Sequence, residues 1–179
     1  MICLERINVK YNRVIFDEAK IEIANGKVTT IVGESGVGKT TLLYMIGLIS
    51  PEKFGNYIWD GRKIDLKDDS ECSGIRKRKI GYIFQDNNLN EQLTIKGNIE
   101  LAAKISGIKL SEDEIIQLLE YVNLDYDINE YPSKLSGGEK QRLAIACALS
   151  KKPDLVIADE PTSALDVKNT KLIMEIFKK

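Results

Sequence analysis

Histidine is absent from this chain of 179 residues, which removes the commonest general base and a frequent metal ligand. Apolar stretches of bilayer length and a signal peptide are also missing, so a membrane role would need a partner chain. Cys3, Cys72 and Cys147 lack metal-site spacing and are expected to be reduced thiols. These absences predict a cytosolic protein.

Charge of either sign is not in excess, because 26 lysines and arginines accompany 27 aspartates and glutamates. The resulting net charge of −1 gives no long-range attraction toward nucleic acid or anionic lipid, and no nucleic-acid partner is expected. A hydrophobic content of 43% is enough for one substantial core. The expected organisation is one domain with an inserted subdomain.

The strongest feature present is a glycine-rich pattern near residue 35. Between the apolar run Val28 to Val32 and a helical run that begins with Thr41 lies the stretch Gly33-Glu34-Ser35-Gly36-Val37-Gly38-Lys39-Thr40. Glycines let successive backbone N–H groups turn toward phosphate oxygens, and a helix N-terminus adds positive partial charge. Lys39 would reach the outer phosphates and the Thr40 hydroxyl would bind Mg²⁺. Strand, loop and helix together form a Walker A motif for a triphosphate.

A second phosphate-related pattern ends another predicted strand. The apolar run before Asp159 and Glu160 finishes in two adjacent carboxylates, which a core edge rarely tolerates without a partner. Asp159 suits the Walker B role of holding Mg²⁺, and Glu160 is placed to orient or deprotonate a water. The alternative is a strand that simply runs out into solvent.

One further strand end, a helical block and a set of N-terminal strands complete the predicted layout. Gln85 follows the short apolar run that ends at Phe84, and ligands bind at such strand ends in open α/β sheets. Helical patterning then dominates, with Ser111 and Glu114 as a capping box. Antiparallel strands are predicted near the N-terminus, with a hairpin turn at Asn25-Gly26.

At Tyr11 and in the stretch 135–139, residue spacing alone does not decide between two interpretations. Tyr11 is either a half-exposed tyrosine of a strand end or a ring that stacks on a base. The glycines after Ser136 leave N–H groups unshielded at a helix N-terminus, which suits an anion, but an ordinary N-cap uses the same residues. The stretch concerned is Leu135-Ser136-Gly137-Gly138-Glu139, followed by Lys140, Gln141 and Arg142.

With these motifs in this order, the chain resembles the ATP-binding cassette (ABC) ATPases over nearly its whole length. Residues 135–142 are similar to the family's signature motif. The resemblance implies an α/β fold: a P-loop NTPase core with an N-terminal antiparallel β-subdomain and an inserted α-helical subdomain. Within one cassette of 1–179, the core with its β-subdomain would comprise 1–86 and 143–179, and the helical subdomain with the signature motif 87–142.

The resemblance also implies roles for these residues. Two cassettes, identical or different, would face head to tail, so that Ser136 and Gly138 of one subunit close over the ATP held by Gly33 to Thr41 of the other. Tyr11 matches the aromatic residue that stacks on adenine. Gln85 resembles the glutamine that senses Mg²⁺ and the attacking water.

Within the family, the short helical insertion and the stretch 81–85 look most like exporters of lipoproteins, antimicrobial peptides and macrolides. This likeness implies a transmembrane permease subunit as a partner and a position at the inner face of the cell membrane. The alternatives are a cassette that binds ATP without hydrolysing it and so drives dimerisation, and a soluble ABC ATPase that acts on nucleic acid.

One departure from the family concerns its switch histidine, which lies on a strand beyond Asp166. The chain ends at Lys179 and has no histidine. We expect the C-terminal part of the core to be missing from this chain, in preference to a complete enzyme that works without the histidine. The predicted catalytic residues are Lys39, Gln85 and Glu160, and the departure bears directly on their activity here.

Overall fold

The computed structural model describes residues 1–10, 14–50, 54–163 and 165–177. Tyr11, the predicted base-stacking residue, and Ala164 lie outside these ranges. The chain divides into two compact units, residues 1–76 and 77–179, and each is described by itself. Within the described ranges, no helix combines the length and the apolar character that a membrane span requires.

The first unit is built on a four-stranded antiparallel sheet with the order β2-β1-β3-β4. Its strands are β1 (Ile2–Lys10), β2 (Val14–Ile23), β3 (Phe54–Trp59) and β4 (Arg62–Ile64). Strands β3 and β4 are joined at Asp60 and Gly61, whose φ angles of 48° and 81° suit a tight hairpin. The predicted antiparallel start of the chain is confirmed.

Helix α1 (Lys39–Ile46) belongs to the same unit and buries Leu42, Met45 and Ile46. The hydroxyl of the fully buried Tyr57 in β3 donates a 2.8 Å hydrogen bond to the carbonyl oxygen of Ile46. Because the last carbonyls of a helix have no partner within the helix, this bond satisfies one of them. It also ties the end of α1 to the sheet.

The strand predicted over Val28 to Val32 does not form. Residues 27–34 belong to neither described sheet, and Val28 and Val32 are 58% and 85% exposed. A strand is stabilised by a hydrogen-bonded neighbour, and no described strand pairs with this run. The predicted hairpin after Asn25 therefore lacks its second strand, although Gly26 does form a turn with φ of 64°.

The second unit combines a small parallel sheet with a group of helices. Strands β5 (Ile80–Ile83) and β6 (Leu155–Ala158) pair in parallel. Its helices are α3 (Ile95–Ile105), α4 (Glu112–Tyr121), α5 (Gly137–Leu149) and α6 (Val167–Ile176). Helix α2 (Asp69–Lys79) belongs mostly to the first unit and ends at the start of the second. A short 3₁₀ helix, Pro132–Lys134, precedes α5.

Helix α5 lies at the centre of the second unit and buries Leu143 and Ile145 completely. It packs closely on β5, since a Cβ at Gly81 would lie only 3.0 Å from the carbonyl oxygen of Ala148. Helices α3 and α4 contribute further buried residues to the same core. The predicted capping box of α4, formed by Ser111 and Glu114, is confirmed.

Candidate functional site

The glycine loop before α1 has the backbone shape that its sequence predicts. Gly36 and Gly38 have φ angles of 72° and 107°, which side chains rarely adopt. A Cβ at Gly38 would collide with Ile15, whereas nothing lies within 4 Å of a Cβ at Gly36. The loop therefore packs on its own unit at Gly38 and is open at Gly36.

The start of α1 carries positive charge that no acidic residue of its first turn offsets. Its N-cap, Gly38, makes no side-chain capping bond, so the first N–H groups keep their positive partial charge. The Lys39 ammonium donates to the carbonyl oxygens of Gly33 and Glu34 at 2.9 and 2.8 Å. Uncapped amides, a lysine and an open loop fit a chain of phosphates.

The predicted carboxylates lie at the carboxyl end of the parallel sheet. The Asp159 amide donates to the carbonyl oxygen of Ile83 at 3.0 Å, which continues the pairing of β5 and β6 by one residue. Gln85 and Glu160 follow the two strands, and both are exposed. The structure thus places Gln85, Asp159 and Glu160 at one sheet edge.

The backbone at Glu160 has an unusual conformation with a φ angle of 48°. Its carbonyl oxygen accepts hydrogen bonds from the amide of Ser163 at 3.2 Å and from the hydroxyl of Ser163 at 3.1 Å. A residue with a side chain pays about 1 to 2 kcal/mol for this left-handed region. The two bonds from Ser163 stabilise the turn in which Glu160 sits.

The donor set at this edge suits Mg²⁺ only in part. Carboxylate and amide oxygens are ligands that Mg²⁺ accepts, and one or two carboxylates usually share it with phosphates and waters. Among the described residues, no three histidine, cysteine, aspartate or glutamate side chains form a group that could hold a metal. Asp159 and Gln85 can therefore supply only part of the ligand set of a magnesium ion, and a phosphate chain and waters would have to supply the rest.

The signature stretch forms the N-terminus of α5, with Ser136 as the N-cap. The Ser136 hydroxyl donates to the Glu139 carboxylate at 2.6 Å, and the Ser136 amide donates to it at 2.8 Å. These bonds, from the hydroxyl first, lower the pKa of Glu139 below its usual value. In the structure Ser136 is thus the N-cap of α5 and forms a full capping box with Glu139.

The two glycines of this stretch have different surroundings. Gly137 is exposed, and nothing lies within 4 Å of a Cβ built on it. Gly138 is buried, and a Cβ on it would lie 2.6 Å from the Cγ of Asn169 in α6. The absence of a side chain is therefore required by packing at Gly138 but not at Gly137.

Asn169 was not predicted as a functional residue. Its amide oxygen accepts a 2.7 Å hydrogen bond from Arg142, and its amide nitrogen donates to Asp166 at 3.0 Å. Asp166 caps α6 by accepting from the Asn169 backbone at 2.8 Å, which lowers the pKa of Asp166. The sequence gives one sign of this: Asn169 lies three residues after Asp166, where an N-cap finds its donor.

The predicted site residues are divided between the two units. The first unit contains Gly33, Glu34, Ser35, Gly36, Val37, Gly38, Lys39, Thr40 and Thr41. The second contains Gln85, Leu135, Ser136, Gly137, Gly138, Glu139, Asp159 and Glu160. Within the second unit, Gln85, Asp159 and Glu160 lie at the carboxyl edge of the parallel sheet, and residues 135–139 lie at the start of α5. Tyr11 lies outside the described residues.

Comparison with known families identifies the chain. The model of the family described as ABC transporter matches residues 16–163. This chain belongs to the ABC transporter family. Cassettes of this family bind and hydrolyse ATP, dimerise and pair with transmembrane permease subunits. The predicted family and fold class are confirmed.

Relatives of this ABC chain include exporter components. The lipoprotein-releasing system ATP-binding protein LolD of Buchnera aphidicola is 40% identical over 163 residues, which cover 90% of this chain and 71% of that protein. The macrolide export ATP-binding/permease protein MacB of Campylobacter jejuni is 37% identical over 183 residues, which cover 100% of this chain. The chain spans only 28% of the length of that MacB.

Solved structures agree with the sequence relatives. A dimeric post-hydrolysis state of the ATP-binding cassette MJ0796, bound to ADP and Pi, superposes with a TM-score of 0.86 at 34% identity. The match covers 100% of this chain and 82% of the MJ0796 chain. The ABC chain therefore has the cassette fold over its whole length.

Proposed function

We propose that this chain is the ATP-binding and ATP-hydrolysing subunit of an ABC membrane transporter, of the exporter kind. The observation that carries the proposal is the open glycine loop at 33–38, with Lys39 and an uncapped helix N-terminus beside it. The names of the relatives LolD and MacB support export as the process that the hydrolysis drives.

The phosphate chain would be bound by the loop amides of 33–38 and by Lys39. The Lys39 ammonium already lies over the loop, where it bonds to two loop carbonyls. A phosphate oxygen offers this ammonium a charged acceptor in place of neutral ones, so binding gains a charge-assisted hydrogen bond. Tyr11 is proposed to stack on the adenine ring.

Hydrolysis would depend on the carboxyl edge of the parallel sheet. Thr40, Gln85 and Asp159 would hold Mg²⁺, which supplies neutralising charge to the phosphates when bound. Glu160 is exposed, so its carboxylate can reach a water molecule, and the turn that fixes it is held by Ser163. We assign Glu160 the role of orienting or deprotonating that water.

The signature residues Leu135, Ser136, Gly137, Gly138 and Glu139 would act on ATP held by a second cassette, identical or different, in a head-to-tail dimer. Ser136 is exposed at a helix N-terminus, which is where an anion is bound most readily. A permease subunit would then place the dimer at the inner face of the membrane. The division into 1–86 with 143–179 and 87–142 stays a prediction.

A second candidate function is a cassette that binds ATP and dimerises without hydrolysing it. The two candidates make the same prediction for nucleotide binding and opposite predictions for turnover. They are therefore separated by one enzymatic measurement.

The test compares ATP binding and steady-state ATP hydrolysis in the wild-type chain and three variants. Glu160→Gln should keep nucleotide binding and lose at least a hundredfold in turnover, since a positioning group for the attacking water is removed. Lys39→Ala should lose both, whereas Lys171→Ala, at an exposed position on α6, should lose neither. Binding without turnover in the wild type would favour the second candidate, and no binding at all would refute both.

A further inference from the structure

Asn169, in the first turn of α6, lies against the first turn of the signature helix α5. We infer that Asn169 is a positioning residue for the signature motif: its side-chain amide fixes the turn that contains Ser136 and Gly138 relative to the Asp166 N-cap. This inference rests on the proposed function for its effect on hydrolysis. Its structural part stands on the contacts alone.

Both ends of the Asn169 amide are engaged, which fixes its orientation. The oxygen accepts from the Arg142 guanidinium at 2.7 Å, and the nitrogen donates to the Asp166 carboxylate at 3.0 Å. A flipped amide would turn its NH₂ group toward a cation and its oxygen toward an anion. The side chain therefore has one favourable position between α5 and the start of α6.

The same amide leaves no room for a side chain at Gly138. A Cβ there would lie 2.6 Å from Cγ, 2.7 Å from Oδ1 and 2.9 Å from Nδ2 of Asn169. All three atoms of the amide group thus lie within contact distance of one glycine. Asn169 packs directly on the signature turn in addition to its bond with Arg142.

Loss of the hydrogen bond between Asn169 and Arg142 would be costly because Arg142 is buried. Its side chain lies one turn after Gly138 on α5, and the residue is only 7% exposed. The Nε atom has no hydrogen-bond partner within the described ranges, so the bond to Asn169 is a main anchor of a buried guanidinium. Removal of the amide would leave a buried charge poorly paired, and Arg142 would move toward solvent or toward Glu139.

Such a movement would displace Ser136 and Gly138, which under the proposed function act on the ATP bound by a second cassette. Displacement of a positioning group by about 1 Å can lower a rate about a hundredfold. The phosphate loop belongs to the first unit, so the binding of ATP to this loop should be unaffected. The inference therefore predicts a lower kcat with an unchanged KM.

The test uses the full chain with Asn169→Ala, the milder Asn169→Ser, and Lys171→Ala as a control on the exposed face of the same helix. Amide hydrogen exchange at residues 139 and 140, whose N–H groups donate to Ser136, reports the signature turn directly in the absence of nucleotide. Exchange there should rise at least fivefold in the alanine variant and less in the serine variant, whose hydroxyl keeps one of the two bonds. ATP hydrolysis should lose at least tenfold in kcat with KM within twofold.

Unchanged exchange at residues 139 and 140 in a folded Asn169→Ala or Asn169→Ser chain would overturn the inference, as would a loss that appears in KM alone. Failure of the proposed function looks different, because the wild type itself would then show no turnover. In that event the exchange measurement still decides: a rise confined to the signature turn supports the positioning role, and no rise refutes it.

Discussion

The unequal surroundings of Gly137 and Gly138 give a sharp prediction, because the same substitution is made at adjacent positions of one helix. Alanine at 137 meets open space and gains helix propensity, whereas alanine at 138 meets the Asn169 amide at 2.6 Å. Asn169 cannot easily yield, because Arg142 and Asp166 hold both ends of its amide. The two variants should therefore change stability in opposite directions.

The expected magnitudes follow from the two environments. Overpacking of this kind costs about 1 to 3 kcal/mol. Replacement of glycine by alanine in a helix gains up to about 1 kcal/mol, and less in the first turn, where fewer hydrogen bonds are made. Because both variants share the helix-propensity gain, Gly138→Ala should be less stable than Gly137→Ala by the overpacking cost, about 1 to 3 kcal/mol.

Urea unfolding followed by circular dichroism measures this difference, and a double-mutant cycle with Asn169→Ala tests its cause. In the Asn169→Ala background the clash is gone, so the cost of Gly138→Ala should fall below about 0.5 kcal/mol. Equal effects of the two glycine substitutions would refute the reasoning. So would a Gly138→Ala penalty that persists when the amide is absent.

Three further predictions concern the second unit. Leu143→Ala should lower the free energy of unfolding by about 2 to 5 kcal/mol, because Leu143 is fully buried in α5, whereas Leu101→Ala, at 44% exposure, should cost much less in the same urea assay. Desolvation against the core raises the pKa of the partly buried Cys147 thiol to about 12, so a thiol reagent at pH 8 should modify it at least a hundredfold faster in urea than in the native chain; equal rates would contradict this shift. The lowered pKa of Glu139 means that its stabilising contribution is present above pH 4.5, the usual value, and is lost as the pH falls through the lowered value. Glu139→Gln should remove this part of the acid dependence, and an identical pH dependence of the urea midpoint would show that the capping box has no such effect.

Local features of the second unit were predictable from sequence, since they depend on residues a few positions apart. The capping box of Ser111 and Glu114 and the helix start at Ser136 each involve a spacing of three residues. The convergence of Gln85 with Asp159 followed from the geometry of parallel strands, which end at one edge.

Features that depend on distant partners could not be read in this way. The run Val28 to Val32 has strand composition, but composition does not say whether a neighbour pairs with it. The Arg142 to Asn169 bond spans 27 residues and exists only because α5 and α6 meet. The roles of Tyr11, the phosphate loop and the carboxylates stay predictions until nucleotide binding is measured.

Trp59 gives the chain an internal reporter. It is the one tryptophan of the sequence, it is 7% exposed in β3, and its ring lies 6.3 Å from that of Tyr57. Tyr57 in turn is bonded to the end of the helix that starts at the phosphate loop. Selectively excited tryptophan fluorescence therefore follows the first unit alone, whereas α3 to α6 contribute most of the helical dichroism from the second. If the two units unfold separately, a nucleotide at 100 times its Kd should raise the free energy of unfolding measured by fluorescence by about 2.7 kcal/mol. The dichroism transition should then be unchanged, so that each optical signal reports one unit.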